Sequence, residues 1–112
     1  MLQRSLHLAG FVATCVLACA ELAACSSDDS RIYDAYKCGN VAHILGRHEK
    51  AAAAILKAKP FLEKKTGNPS HYMMGLRTKL TDDMALYKLS PRGQAEKIND
   101  IYESGTCQTL YQ

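Results

Sequence analysis

The chain has no tryptophan, two phenylalanines and three prolines in 112 residues. Acids and bases are nearly balanced, 11 against 14, for a net charge of +3. The bases are scattered between acids, and without a basic stripe to follow phosphates, nucleic acid is not indicated. No apolar run reaches the roughly twenty residues a membrane-spanning helix needs. The longest, Leu6 to Ala20, is about fifteen residues and is interrupted by His7. No stretch alternates polar and apolar residues for long enough to predict a strand.

Chemical motifs are equally sparse. His43, His48 and His71 show no His-Glu-x-x-His spacing, and His43 and His48 stand either side of the helix break predicted at Gly46. Cys38 and Cys107 are far apart in sequence and lack the paired spacing of a zinc site, and they do not form the Cys-x-x-Cys of a dithiol redox centre. Ser70 beside His71 reads as a first-turn residue next to Pro69, and Asp82 with Asp83 as a solvated helix face. The sequence therefore predicts no catalytic residues, no metal, no cofactor and no small-molecule substrate; the expectation is a protein that is not an enzyme.

The short apolar run has the form of a secretory leader. Arg4 and the amino terminus provide the positive start, and Glu21 closes the run. Two processing sites follow. Ala18-Cys19-Ala20 fits ordinary signal peptidase, and Leu22-Ala23-Ala24-Cys25 resembles the lipobox of bacterial lipoproteins, in which the cysteine is lipidated and becomes the first mature residue. Cysteine parity favours the second. Cleavage after Ala20 leaves Cys25, Cys38 and Cys107, an odd set in an oxidising compartment. Lipidation of Cys25 leaves an even pair.

The resemblance implies a membrane attachment through acyl chains, each buried methylene contributing about 0.8 kcal/mol. Ser26, in place of the aspartate that tends to retain such proteins at the inner membrane, implies the outer membrane, with the domain facing the periplasm. On this reading residues 1–24 are a signal peptide, 25–30 a lipidated tether and 31–112 a helical domain.

Punctuation and period predict four helices. The first runs from about Arg31 to Leu45, with Ala35, Cys38, Val41, Ala42 and Leu45 inward and Gly46 as its stop. The second runs from about His48 to Lys65, with Ala51, Ile55, Ala58 and Leu62 inward and Gly67 beyond it. Asn68-Pro69 opens the third, which carries Met73, Leu76, Leu80, Met84 and Tyr87 on one face to about Leu89. Ser90-Pro91 opens the fourth, with Ala95, Ile98, Ile101 and Tyr102 inward and Gly105 as its end. The expected fold is all-α, a small bundle of about four antiparallel helices. Cys38 and Cys107 are placed to close it with one disulfide across about seventy residues.

The first hairpin, "YKCGNVAHILGRHEKAAAAILKA", resembles a single tetratricopeptide repeat. Gly39 and Gly46 fall at its two small positions seven apart, Ala51 and Ala58 at the small packing positions of its second helix, and Ile55 at the large apolar position between them. The resemblance covers some 27 residues and does not recur, so it implies a repeat-like hairpin rather than an array.

Binding is the function class that remains. All six tyrosines lie after Cys25, and Tyr33, Tyr72 and Met74 fall off the inner stripes, while Leu110 and Tyr111 occupy the tail. These five are the expected partner-binding residues: Tyr and Met are favoured on partner surfaces, and the tail residues Leu110 and Tyr111 either pack back on the domain or dock on a partner. Two roles fit a small helical lipoprotein with a protein partner. One is an accessory or assembly module of a secretion, pilus or conjugation system. The other is an immunity or exclusion lipoprotein that neutralises an incoming toxin or transfer apparatus.

Overall fold

The first helix starts with a hydroxyl. The Ser27 side chain accepts the N–H of Ser30 at 3.1 Å, and Asp28 and Asp29 follow in the first turn, where carboxylates meet the positive end of the helix. In the computed structural model, which describes residues 27–65 and 67–112, this helix, α1, spans Asp28–Ile44. It therefore begins ahead of Arg31, and the acidic part of the expected tether belongs to the domain. The signal segment and Cys25 lie outside the described residues. The other helices are α2 (His48–Glu63), α3 (Pro69–Met84), α4 (Pro91–Glu103) and α5 (Gly105–Leu110), with one turn of 3-10 helix at Leu86–Lys88. Among the described residues there is no strand.

The expected stop and start signals mostly act as such. Gly46 and Gly67 take left-handed conformations, with φ of 74° and 99°. The Asn68 side chain accepts the N–H groups of Ser70 and His71 at 3.0 and 3.4 Å, and Ser90 accepts that of Gly93 at 3.1 Å, each with proline next in the chain.

Two boundaries differ from expectation. α3 stops at Met84 because Ala85 turns left-handed, with φ of 46°. For a non-glycine residue that costs about 1–2 kcal/mol, and here it accompanies burial of Met84 against Val41 and Ile98. The turn throws Tyr87 out of the stripe, and its side chain is 66% exposed. At the other boundary α4 ends at Glu103, just ahead of Gly105 as expected, but a further short helix follows. Ser104 closes α4, its N–H reaching the Ile101 carbonyl at 3.2 Å, and its hydroxyl then caps α5 by accepting the Cys107 N–H at 3.3 Å.

α1 is the common member of the core. Cys38 and Ala42 pack with Ala51, Ala54, Cys107 and Tyr111. Ile32 and Ala35 pack with Ala58, Leu76 and Leu80. Val41 packs with Met84 and Ile98. Between α1 and α2 the contact is made by small residues. A β-carbon built on Gly39 would lie 2.8 Å from Cγ1 of Ile55 and 3.4 Å from the Ala51 carbonyl oxygen, closer than side chains tolerate. Ala54 belongs to the same seam, buried with Ala51 and Ala58, whereas Ile55, expected inward, reaches across Gly39 and stays 37% exposed.

The largest side chains that are fully buried are Ile32, Val41, Cys38 and Cys107, and two of those four are the disulfide itself. Cys38 and Cys107 are bonded, with Cα atoms 5.2 Å apart across 69 residues of sequence. Tyr111 then lies over the bridge, donating its hydroxyl to the Cys38 carbonyl at 2.7 Å and stacking at 5.0 Å on Tyr102.

Closing a loop of that length is worth about 4 kcal/mol on the chain-entropy model, a large share of the stability of so small a domain. Reduction should lower the melting temperature markedly, and Cys38→Ser with Cys107→Ser should do the same without reductant. Identical melting curves in both redox states would refute this role.

The hairpin seam gives an independent test. Ala58 is fully buried and Ala52 is exposed on the same helix. Ala58→Leu should cost about 1–3 kcal/mol by overpacking, and Ala52→Leu less than about 0.5 kcal/mol, measured by urea denaturation. Equal midpoints for the two variants would mean that the close seam does not exist.

Candidate functional site

α3 is tied to α1 by two tyrosines. Tyr33 on α1 donates its hydroxyl to Asp83 on α3 at 2.5 Å, and Tyr72 on α3 donates to Asp29 on α1 at 3.1 Å. Lys65 completes the second clasp with an ion pair to Asp29. These pairings match low numbers with low and high with high, so α1 and α3 run in the same direction, with α2 returning between them. The Lys79 ammonium stands 4.8 Å and the Lys37 ammonium 5.8 Å from the Tyr33 ring centre, both in cation–π range.

The clasps and the side chains beneath them hold α3 against the hairpin, yet the space between is not filled. At that level the hairpin presents Gly39 and Ala51, which have nothing to raise into the gap, and Ile55 forms the floor by lying over Gly39. α3 supplies the facing wall through Met73, Met74, Leu80 and Met84, and Tyr87 stands at one end. The result is an apolar cleft of about 830 Å³, within the range of ligand-binding clefts. Every methionine among the described residues, Met73, Met74 and Met84, lines it. Met74 is 70% exposed at its rim.

Among the described residues its lining includes no carboxylate. Arg77 and His43 are the only basic side chains of the described residues there, and Arg77 makes no ion pair with any described residue.

Of the five residues expected to meet a partner, Met74 alone is fully on the surface. Tyr33 and Tyr72 are half-buried in the α1–α3 clasps. Leu110 packs on the Cys38–Tyr111 cluster. Its carbonyl and the Gln112 main-chain oxygen accept the Lys57 ammonium at 2.6 and 2.5 Å. Tyr111 is buried, which corrects its placement on a partner surface: the tail folds back because the phenol finds an acceptor over the disulfide. The cleft itself was not foreseen. Its wall has the period of an inner stripe, and whether such a stripe is covered depends on the size of the residues opposite.

The two histidines expected to stand apart are brought together, with ring centres 5.1 Å apart in an edge-to-face pair. Among the described residues no group of three or more His, Cys, Asp or Glu is placed to hold a metal. A second, smaller cavity of about 540 Å³ lies where α5 crosses the hairpin, between Phe61, Lys57 and Thr106. No helix among the described residues is long and apolar enough to cross a membrane. Comparison of the chain with protein-family models, with curated proteins and with solved structures gives no match.

Burial and then the hydrogen bond to Asp83 push the Tyr33 phenol up to about 12, and burial followed by Tyr102 pushes Tyr111 up to about 12, against an ordinary value of 10.0. The folded state therefore holds these protons more tightly than the unfolded chain does. Their contribution is fully present below pH 10 and is lost as pH rises from about 10 to about 12. Stability measured by urea denaturation should fall across that window. Tyr111→Phe should flatten the fall while lowering stability at neutral pH, because the Cys38 carbonyl loses its extra donor. A wild-type stability that is level from pH 9 to 11.5 would overturn this assignment.

Proposed function

We propose that this protein is a non-enzymatic, lipid-anchored module of the bacterial outer membrane, facing the periplasm, that holds a protein partner in the cleft between the α1–α2 hairpin and α3. The observation that carries the reading is the cleft: a large apolar opening walled by methionines, with Met74 and Tyr87 standing 70% and 66% exposed beside it. Exposed apolar surface of this kind marks an interaction site, and methionine walls adapt to the shape of what enters. Anchoring rests on the resemblance of Leu22-Ala23-Ala24-Cys25 to a lipobox and on cysteine parity. The Cys38–Cys107 bond uses the other two cysteines that follow the leader. Of the two roles, an accessory or assembly module is the better supported, because an adaptable cleft suits a subunit that is held and then passed on.

The test uses the full-length chain expressed in a Gram-negative host. Wild type should partition with membranes and carry acyl mass on Cys25, and Cys25→Ser should be released. A photo-crosslinking residue at Met74 should give a discrete protein adduct, while the same residue at the exposed Glu96 on α4 should give none. A mature amino terminus at Glu21 without acyl mass would refute the anchor. Equal adducts from both positions would refute the cleft.

A further inference from the structure

We infer that the occupant of the cleft is an amphipathic α-helix about three to four turns long with acidic residues flanking its apolar face. This rests on the docking role proposed above and specifies the partner's chemistry.

Length comes from the wall. The cleft is lined by α3 from Ser70 to Met84, and fourteen steps at about 1.5 Å span about 21 Å, which a helix of about fourteen residues matches. Form comes from openness. A site for a wholly apolar ligand closes over most of that ligand's surface. Here Ile55 on the floor is 37% exposed and Met74 on the rim 70% exposed, so whatever enters keeps one side in water. A helix with apolar residues at i, i+4, i+7 and i+11 meets both conditions, burying one stripe and leaving the other hydrated. Ile55, lying flat over Gly39, makes a low floor on which such a helix can rest against the methionines.

Charge comes from the lining. Arg77 and His43 border the cleft from opposite walls, α3 and α1, and no aspartate or glutamate among the described residues lines it. Arg77 has no acidic partner among the described residues, so glutamates beside the apolar stripe would supply one.

The experiment uses the lipid-free domain released by the Cys25→Ser variant, with its disulfide intact. Three fourteen-residue synthetic peptides serve as probes: one with leucine at i, i+4, i+7 and i+11 and glutamate flanks, one with the same leucines and lysine flanks, and a scramble of the first. Binding is read by calorimetry and by amide chemical shifts, with palmitate as a separate titrant. The glutamate-flanked helix should bind with shifts centred on Gly39, Met73 and Met84, about fivefold more tightly at low salt than the lysine-flanked one. Arg77→Glu, an exposed change that should leave the fold intact, should reverse that order.

Equal affinity of the scramble, or a preference for lysine flanks, would overturn the inference and leave the docking role to its Met74 adduct. Palmitate producing the same shifts while no peptide binds would also overturn it, in favour of a lipid site.

Discussion

The fold depends on how closely α1 and α2 approach. Gly39 on one helix and Ala51, Ala54 and Ala58 on the other remove the side chains that normally hold helices about 8–10 Å apart. That closeness fixes the geometry but buries little area, since an alanine brings a small fraction of the about 1.5–3 kcal/mol of a buried leucine or isoleucine. The domain offsets the shortfall with a covalent tie. Cys38 lies in the middle of α1, so the bond to Cys107 secures the chain's last helix to its most buried one. Tyr111 adds a buried hydrogen bond to the same turn of α1. A chain without tryptophan thus places one of its six tyrosines where the bridge needs a cover.

Much of this was legible in the sequence, because the signals were local. Asn68-Pro69 and Ser90-Pro91 start helices where they stand, and Gly46 and Gly67 stop them, each for reasons contained within a few residues. The disulfide was legible from parity and from the inward position of Cys38. What escaped was decided at a distance. Gly105 carries a stop signal, yet α5 forms because Cys107 must turn back toward Cys38 and Ser104 can serve two helices at once. Ala85 has no sequence mark of a left-handed residue; it turns where Met84 reaches Val41 and Ile98. Tyr33 and Tyr72 lie off the inner stripes, but their hydroxyls find aspartates on a neighbouring helix that periodicity does not place.

The cleft follows from the same constraint as the seam. A hairpin faced with glycine and alanine cannot fill the space under a third helix unless that helix also approaches closely. α3 does not: it bears long, unbranched methionines and is held at its ends by Tyr72–Asp29 and Tyr33–Asp83 rather than by a continuous seam. Packing at the bottom, through Leu76 and Leu80 against Ile32, Ala35 and Ala58, sets the depth of the opening without closing it. Small residues that make the hairpin tight therefore also leave it open on its other side. Stability and the candidate docking surface come from one set of positions.

The early start of α1 bears on how such a surface would meet a membrane. With Ser27 as cap, Ser26 alone separates Cys25 from the first capped turn, and two residues extend over about 7 Å. An anchor at Cys25 would therefore hold the helix end within a headgroup layer's thickness of the acyl chains. The α1 side of the cleft, Tyr36 to His43, begins about 12 Å and ends about 22 Å along the axis from Asp28. An upright α1 would carry the opening clear of the headgroups, where a protein segment can reach it and lipid cannot. An α1 lying flat would press one side of the domain onto the bilayer. At that end Lys65 and Asp29 pair with each other, which takes one ammonium out of play for drawing the helix down onto an anionic surface. If Cys25 is anchored, the short distance to the capped helix would favour the upright arrangement, and with it a cleft held away from the bilayer.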